Sequence, residues 1–186
     1  MSVENKIDVD LFKVIFRAMT KSDNLEIMTD HIAQLLVGTL EIKGAMIFAL
    51  NPESQELEIL SNFGLSMNYV HKGPVLSDKS IAADTASEKP IVICDINNTD
   101  LLQYPENAKE EGIGAIVSIP ILFGEKNIGA LRLYSSEVWD ISEHDVDSLL
   151  IVAETIGLAM TYTRVLMAFK KIRYTLNDTQ GLWMLE

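Results

Sequence analysis

Two pairs of short apolar segments, each joined by a polar turn, constrain most strongly what this chain can fold into. Residues 45–50 are apolar, residues 57–63 alternate apolar and polar positions, and residues 51–55 between them have turn chemistry. Residues 115–123 and 128–134 are joined in the same way by the polar residues 124–127. Strands connected by so few residues run antiparallel. The sequence therefore predicts two hairpins in an antiparallel-dominated sheet.

Helical periodicity surrounds these hairpins. Residues 9–19 and 25–40 repeat apolar side chains at helical spacing, and Asp23 with Glu26 forms a candidate N-cap for the second helix. A short strand, a short helix, a clear strand and a polar helical crossing are predicted between the hairpins: residues 74–76, 79–87, 91–96 and 97–112. This order predicts an α+β fold with helices on the faces of the sheet. The 186 residues contain no internal repeat, which favours a single domain.

The last predicted helix is longer than a small domain needs. Ser142 with Asp145 forms a candidate N-cap, and the periodicity continues to about Leu176 without a proline. Its apolar positions are predicted to form two stripes: residues 146, 149, 153, 156 and 160, and residues 152, 159, 162, 166, 169 and 176. One stripe can face the sheet, whereas the other continues past Arg164. We therefore expect a homodimer through the N- and C-terminal helices, the alternative being a helix that folds back over its own domain.

Charge and cysteine content exclude several classes of function. The net charge of −12 and the pI near 4.6 argue against nucleic acid and against an anionic membrane surface as partners. No uninterrupted apolar run approaches the ~20 residues that span a bilayer. The single cysteine, Cys94, excludes an intrachain disulfide and fits a reducing compartment. The chain is therefore expected to be cytoplasmic.

No catalytic or metal-binding motif is present in the sequence. The three histidines, His31, His71 and His144, lie at no metal-ligand spacing, and no CxxC, GxSxG or phosphate-binding glycine motif occurs. Cys94 follows the apolar pair Val92-Ile93, which predicts a buried and inert thiol. The sequence thus predicts neither a metal site nor an enzyme. A small enzyme that uses Cys94 or a pair of carboxylates is the remaining catalytic alternative.

Seven short segments, in order along the chain, resemble a known family. They are Gly44-Ala-Met-Ile-Phe48, Leu57-Glu-Ile-Leu-Ser-Asn-Phe-Gly-Leu65, Ser80-Ile-Ala-Ala-Asp84, Lys89-Pro-Ile-Val-Ile-Cys-Asp95, Glu111-Gly-Ile113, Ser118-Ile-Pro-Ile121 and Ile128-Gly-Ala-Leu-Arg-Leu133. This set resembles a GAF domain over about residues 22–165. The resemblance implies a PAS-related, six-stranded antiparallel sheet with helices on one side and a ligand pocket on the other. It leaves residues 1–21 as an N-terminal helix and residues 166–186 as a C-terminal helical extension for dimerisation or linkage.

The resemblance also implies where a ligand binds. By position, the pocket walls are expected to include Phe63, Ile81, Ala82, Asp95, Tyr104 and Ser118, with Asp95 and Ser118 as the polar contacts. The segment 97–112 lacks the cysteine through which bilin-binding members attach their chromophore, and the sulfoxide reductases of this fold use several cysteines. The ligand and any cofactor are therefore left unidentified.

Two readings of the function follow. In the first, the chain is a non-catalytic sensory or regulatory module that binds a small molecule over the sheet and signals through the terminal helices of a dimer, towards an effector domain outside this chain. In the second, it is a structural dimerisation module whose pocket is filled by its own side chains. A pocket packed with methionine and phenylalanine would favour the second reading.

Overall fold

The computed structural model describes residues 6–20, 24–73, 75–76 and 89–182, and for residues 75–76 and 176–182 it describes the backbone alone. The helices in these ranges are α1 (Val9–Thr20), α2 (Leu25–Leu40), α3 (Met67–Val70), α4 (Pro105–Glu110) and α5 (Glu143–Leu182), with a 3-10 helix at Ile96–Asn98. The strands are β1 (Gly44–Leu50), β2 (Glu56–Phe63), β3 (Val75–Leu76), β4 (Ile91–Ile93), β5 (Ala115–Phe123) and β6 (Lys126–Ser135). The helix expected at residues 79–87 lies outside the described residues.

The described strands form one antiparallel sheet in the order β3-β2-β1-β6-β5-β4. Both hairpins expected from the sequence are present as β1–β2 and β5–β6. The body of the sheet has five strands where six were expected, since β3 adds only a two-residue edge beside β2. The α+β architecture expected from the order of elements is confirmed.

Two element boundaries differ from the sequence expectations. The N-cap of α2 is Asn24, whose side chain accepts a hydrogen bond from the backbone N–H of Ile27 at 3.3 Å; Asp23 lies outside the described residues. Strand β4 ends at Ile93, three residues before the end expected from the sequence at residue 96. The reason is that Asp95 caps the 3-10 helix and accepts a hydrogen bond from the backbone N–H of Asn97 at 2.9 Å. A capped turn competes with strand pairing at this point.

Helices α2 and α5 pack on one face of the sheet, which we call the helix face. The core on this face consists of apolar side chains from α1, α2, alternate positions of β1, β5 and β6, and the first half of α5. Gly157 allows α5 to approach β5 closely: a Cβ atom at this position would lie 2.5 Å from the carbonyl oxygen of Leu122. The glycine in the middle of this helix therefore serves packing.

A buried carboxylate fastens the start of α5 to the segment before α1. Asp145, only 2% exposed, accepts hydrogen bonds from the backbone N–H groups of Lys6 and Ile7 at 2.9 and 3.0 Å. Its own backbone N–H donates to the Ser142 hydroxyl at 3.0 Å, as expected for the helix N-cap. The chain segment that leads into α1 and the first turn of α5 are thus held together.

The first half of α5 contributes to the core, whereas most described side chains after Thr163 are exposed. The buried stripe contains Leu149, Val152, Ala153, Ile156 and Met160, so Val152, expected on the second stripe, belongs to the first. Five of the exposed apolar residues of α5 follow one another at alternating steps of four and three, while Ile151, Met167 and Tyr174 are exposed outside this pattern; the five are Leu158, Tyr162, Val165, Phe169 and Ile172, each 58–65% exposed. We call these five residues the α5 heptad stripe. Their spacing is that of a coiled-coil seam.

The length and composition of Glu143–Thr175 would also allow a helix to cross a bilayer. The first half of this segment packs on the sheet of its own domain, however. The exposed half contains Arg164, Lys170, Lys171 and Arg173, and four cations within ten residues disfavour insertion. We therefore assign α5 to the protein core and to the helical extension expected from the sequence.

Candidate functional site

The face of the sheet opposite α2 and α5, which we call the roof face, carries a second core. Alternate positions of β1, β5 and β6 meet side chains from α3, α4 and the connecting segments: Met46, Phe48, Leu57, Leu65, Tyr69, Ile93, Ile96, Ala108, Ile113, Ile116, Ala130 and Tyr134. This side of the sheet is therefore a covered interior rather than a solvated surface. Polar groups found within it need a physical account.

A charged side chain lies in the middle of the roof face. Arg132 on β6 is 7% exposed and lies directly between Met46 of β1 and Ser118 of β5 in the strand register. Its Nε donates a long hydrogen bond of 3.4 Å to the Ser118 hydroxyl, and its guanidinium carbon lies 5.2 Å from the centre of the Phe48 ring. The arginine thus has a weak hydrogen bond to Ser118 and a cation–π contact with Phe48, and it also interacts with the hydroxyl of Tyr134.

The guanidinium has no counter-charge among the described residues. Its Nη2 atom is buried without a hydrogen-bond partner, and no described carboxylate lies within 4 Å of it. Arginine stays protonated in proteins, so the charge cannot be removed by deprotonation. A buried cation in this state has donors and charge to offer to a ligand.

Two tyrosines lie beside the arginine. Tyr134, the next residue of β6 on this face, is 1% exposed and packs edge-on against Tyr69 of α3, with ring centres 5.8 Å apart. Burial raises the pKa of both hydroxyl groups above the ordinary tyrosine range, and the neighbouring ring adds to the effect at Tyr69. Both hydroxyls are therefore neutral at physiological pH. They can take part in hydrogen bonds but supply no negative charge to Arg132.

A second cation approaches the same region from the segment after α3. The Nζ atom of Lys72 lies 3.6 Å from the centre of the Tyr69 ring and donates a hydrogen bond to the Tyr69 carbonyl at 3.0 Å. Burial and the positive charge of Arg132 lower the pKa of Lys72 to about 8, while the charge of Glu111 opposes this change. Lys72 and Arg132 are thus close enough for the charge of one to affect the other.

The nearest acidic group is engaged elsewhere. Glu111 accepts hydrogen bonds from the backbone N–H and the hydroxyl of Ser66, at the start of α3, and lies 3.8 Å from Lys43. Burial alone would raise the pKa of this carboxyl, but the hydrogen bonds from Ser66 and the charge of Lys43 outweigh burial and lower it. Glu111 is thus an ionised group that links the end of α4 to the start of α3 and to Lys43 before β1. It does not pair with Arg132.

The structure distributes the six residues expected in the pocket unevenly. Ser118 is 2% exposed on the roof face, in contact with Arg132, and Tyr104 is partly buried with its ring centre 6.0 Å from Lys72 Nζ. Asp95 caps the turn after β4 with hydrogen bonds to Asn97 and Asn98. Ile81 and Ala82 lie outside the described residues.

Phe63 does not face the roof. In the register of β1 and β2 it pairs with Ala45, whose side chain belongs to the helix-face core, and paired residues in an antiparallel sheet point to the same side. Its side chain is 40% exposed. The pairing of β1 with β2 shifts by one residue between Ile47 and Phe48. A shift of one residue moves a side chain to the other face of the sheet, so Phe63, beyond the shift, lies on the opposite face from the one that an unbroken register would give.

Cys94 was expected to be buried and is exposed. It follows β4, an edge strand that pairs only with β5 among the described strands, and Val92 on the same strand is also exposed. An apolar run on an edge strand therefore alternates between the interior and solvent. No group of three or more His, Cys, Asp or Glu side chains within the described ranges could hold a metal ion.

Sequence reasoning missed Arg132 and Lys72 as site residues. The signal for Arg132 was present, because Ala130, Arg132 and Tyr134 alternate with Leu131 and Leu133 in a strand that is apolar on both faces. A single charge at such a position indicates a buried cation that requires a partner. Lys72 gave no such signal, since its proximity to the roof face depends on how the segment after α3 packs.

Comparison with known proteins agrees with this architecture. The sequence profile of the GAF domain family matches residues 20–161. The chain belongs to the GAF domain family. This match confirms the resemblance inferred from the sequence and includes α2, the whole sheet and the buried half of α5. A search of the curated proteins finds no match to the chain.

Solved structures share the fold at low sequence identity. The GAF domain of a phosphoenolpyruvate-protein phosphotransferase from Coxiella burnetii is 18% identical, with a TM-score of 0.77 over 86% of this chain and 96% of that one. A free methionine-R-sulfoxide reductase from Neisseria meningitidis, solved with its substrate, is 12% identical, with a TM-score of 0.69 over 88% and 97%. A GAF domain/HD domain protein from Geobacter sulfurreducens is 11% identical, with a TM-score of 0.65 over 79% and 98%. The GAF fold thus occurs in a domain of a phosphotransferase, in a sulfoxide reductase and beside an HD domain.

Proposed function

We propose that this GAF domain is a non-catalytic, cytoplasmic sensory module that binds a small molecule at the roof face and signals through its terminal helices in a homodimer. The observation that carries the proposal is the buried guanidinium of Arg132, whose Nη2 atom has no hydrogen-bond partner and which meets no counter-charge among the described residues. A core that serves packing alone gains nothing from such a group, because an uncompensated buried charge costs several kcal/mol. Functional sites are where proteins tolerate such a cost.

The site and the output helix share one strand pair. Arg132 and Ser118 point to the roof face from β6 and β5, while the intervening residues of the same strands, Val117, Leu131 and Leu133, point into the core beneath α5. A ligand that shifts the packing on one face therefore acts on strands that support the helix on the other. For signalling, it must favour one arrangement of α5 over another.

Dimerisation is supported by the surface of the terminal helices. The α5 heptad stripe spans about four turns of the helix and continues past the sheet, with apolar side chains 58–65% exposed. On α1, Val9 and Phe16 are exposed as well. A seam of this spacing suits a second copy of the same helix, and α5 extended in this way suits connection to an effector domain. Similar domains occur within larger proteins, such as the Coxiella phosphotransferase.

The cysteine content favours a non-catalytic role. The chain has one cysteine, Cys94, exposed at the end of β4, whereas the similar reductase from Neisseria meningitidis acts on methionine sulfoxide. A reduction that ends in an intramolecular disulfide needs two thiols. The nearest described alternative, acid–base work by Glu111, is disfavoured because that carboxylate is bound to Ser66 and Lys43.

A structural dimerisation module is the second candidate, and one observation favours it. Met46, Phe48 and Tyr134 are each at most 1% exposed and fill much of the roof face, and the Tyr134 hydroxyl lies 3.5 Å from the Met46 sulfur. In that case the roof face would be a second core and only the α5 heptad stripe would be functional. This candidate does not account for the buried Arg132, which meets no counter-charge among the described residues.

Native mass spectrometry followed by denaturation separates the two candidates. For the sensory module we expect a dimer, twice 20.7 kDa, with an excess mass that is released on unfolding. Two samples are compared: the purified protein and the protein incubated with cell metabolite extract. If both give a dimer at bare polypeptide mass, the structural module is favoured. A monomer at micromolar concentration would contradict dimer signalling in both.

A further inference from the structure

We propose that the roof face binds a small organic acid, whose carboxylate is held by the guanidinium of Arg132 and whose apolar body lies against the aromatic side chains around it. This inference rests on the proposed sensory function and adds the chemical class of the ligand. Arg132 supplies the charge and the free donors, and Lys72 supplies a second positive charge close by. No carboxylate within the described part of the chain satisfies them.

The donor geometry favours a carboxylate. Ser118 is hydrogen-bonded to Nε, on the side of the guanidinium that faces β5, and leaves Nη2 free. A carboxylate accepts charge-assisted hydrogen bonds from a guanidinium, here from Nη2, and such bonds are roughly twice as strong as neutral ones. The protein supplies the cation of Arg132, the hydroxyl of Ser118 and the aromatic rings that cover them. The ligand would supply the missing negative charge.

The surroundings favour an acid with an apolar body over a highly charged phosphate compound. Phe48 lies under the guanidinium, Tyr69 and Tyr134 lie beside it, and Met46 is the direct strand neighbour. Two cations, one of which is weakened by burial, match one or two negative charges. A polyphosphate would require more donors and more desolvation than this site offers.

Lys72 is available to the ligand as a second cation. Burial and the charge of Arg132 lower its pKa from the ordinary 10.5 to about 8, so the amine is still mostly protonated near pH 7. A bound carboxylate favours the protonated form further. Lys72 lies beside Tyr69 of α3, within the cover of the roof.

The test is thermal unfolding of four proteins in a zwitterionic, carboxylate-free buffer. These are the wild type, Arg132→Met, Arg132→Lys, and Arg164→Met as a control that removes an exposed arginine from α5. The probes are acetate and hexanoate, the second with an apolar body, compared with acetamide and hexanamide as neutral analogues, inorganic phosphate as a second anion, and sodium chloride at matched ionic strength. We expect a carboxylate to raise the unfolding midpoint of the wild type by about 3–5 °C at about ten times its dissociation constant.

The expected pattern has three parts. Carboxylates stabilise the wild type and Arg164→Met, the neutral amides do not, and phosphate has a smaller effect. Arg132→Met abolishes the shift, and Arg132→Lys, which keeps a charge but loses the planar fork, reduces it. Without a probe, Arg132→Met unfolds at the temperature of the wild type or above it, because an uncompensated buried charge has been removed.

Three results would overturn the proposal. One is a wild type stabilised no more by carboxylates than by amides and chloride. Another is an Arg132→Met protein that is strongly destabilised or lacks cooperative unfolding, because Arg132 would then be a structural residue. The third is a co-purified molecule, found by native mass spectrometry, that Arg132→Met still binds; the sensory function would then stand while the ligand class was wrong. Absence of any bound molecule and of any probe effect would refute both.

Discussion

Replacing Phe169 by aspartate tests whether α5 forms the dimer. Phe169 is in the middle of the exposed half of α5, 65% exposed, and is flanked at steps of three and four by Ile172 and Val165. If the helix pairs with its copy along this stripe, each protomer buries the exposed part of this ring. Full burial of a large apolar side chain stabilises by about 1.5–3 kcal/mol, so the exposed part accounts for about 1–2 kcal/mol in each chain.

The loss in the dimer is doubled, because both copies carry the change. About 2–4 kcal/mol corresponds to a dissociation constant raised about 30- to 1,000-fold, before the cost of placing two carboxylates in an apolar seam is added. The domain itself should remain as stable as the wild type, since Phe169 contacts neither core cluster. The effect is therefore confined to association.

Sedimentation velocity across the micromolar range measures this change directly. The wild type should sediment at twice 20.7 kDa and Phe169→Asp at 20.7 kDa, with equal thermal unfolding midpoints at low concentration. Val138→Asp is the matched control, because Val138 is equally exposed, at 65%, but precedes α5. The reasoning fails if the wild type is monomeric, if Phe169→Asp dimerises as tightly as the wild type, or if Val138→Asp weakens the dimer as much as Phe169→Asp does.

Three further changes test the fold and the site. Gly157→Ala should destabilise the domain by about 1–3 kcal/mol in chemical denaturation, because the new Cβ meets the Leu122 carbonyl oxygen. Gly38→Ala in α2 is the control: the space around its Cβ is open, so it should stabilise the domain by about 0.5–1 kcal/mol. Equal effects of the two substitutions would contradict the close packing of α5. Asp145→Ala should lower the free energy of unfolding by about 2–4 kcal/mol, because it removes two charge-assisted hydrogen bonds to the segment before α1. Hydrogen exchange of the backbone amides in that segment should become faster. Unchanged exchange there would refute this role. The pKa of Lys72 is about 8 in the folded protein and 10.5 in the unfolded chain, so the unfolded chain binds more protons between these two pH values. The free energy of unfolding should therefore rise from pH 8 towards pH 10 by about 1–2 kcal/mol after allowance for solvent screening. A Lys72→Met protein with the same pH profile would show that another group is responsible.

Local patterns were sufficient for most of the secondary structure. The two hairpins follow from the alternation on both sides of short polar turns, and the N-cap at Ser142 follows from its spacing to Asp145. The family resemblance rested on the same ordered strands and is confirmed by the match to residues 20–161. These features depend on neighbours within a few residues along the chain, which is why a single sequence can specify them.

Individual side chains were harder to assign to a face. Phe63 was expected at the pocket, but a register shift in the β1–β2 pair turns it to the helix face. Cys94 was expected in the core, but β4 lies at the edge of the sheet and ends early. Both errors concern strand register and strand order, which are decided by pairing between distant segments. Val152 moved from one stripe of α5 to the other for a related reason, since packing on β5 selects the buried side.

The sequence by itself determined the antiparallel hairpins, the terminal helices, the acidic surface and the family. Only the tertiary structure decided that Arg132 is buried between Met46 and Ser118 with no counter-charge from the described residues, and that Lys72 packs against Tyr69 under the influence of its charge. The physical reason is that hydrophobic period and turn chemistry are local properties of the chain, whereas burial, charge pairing and the pKa of a side chain depend on groups brought together by folding.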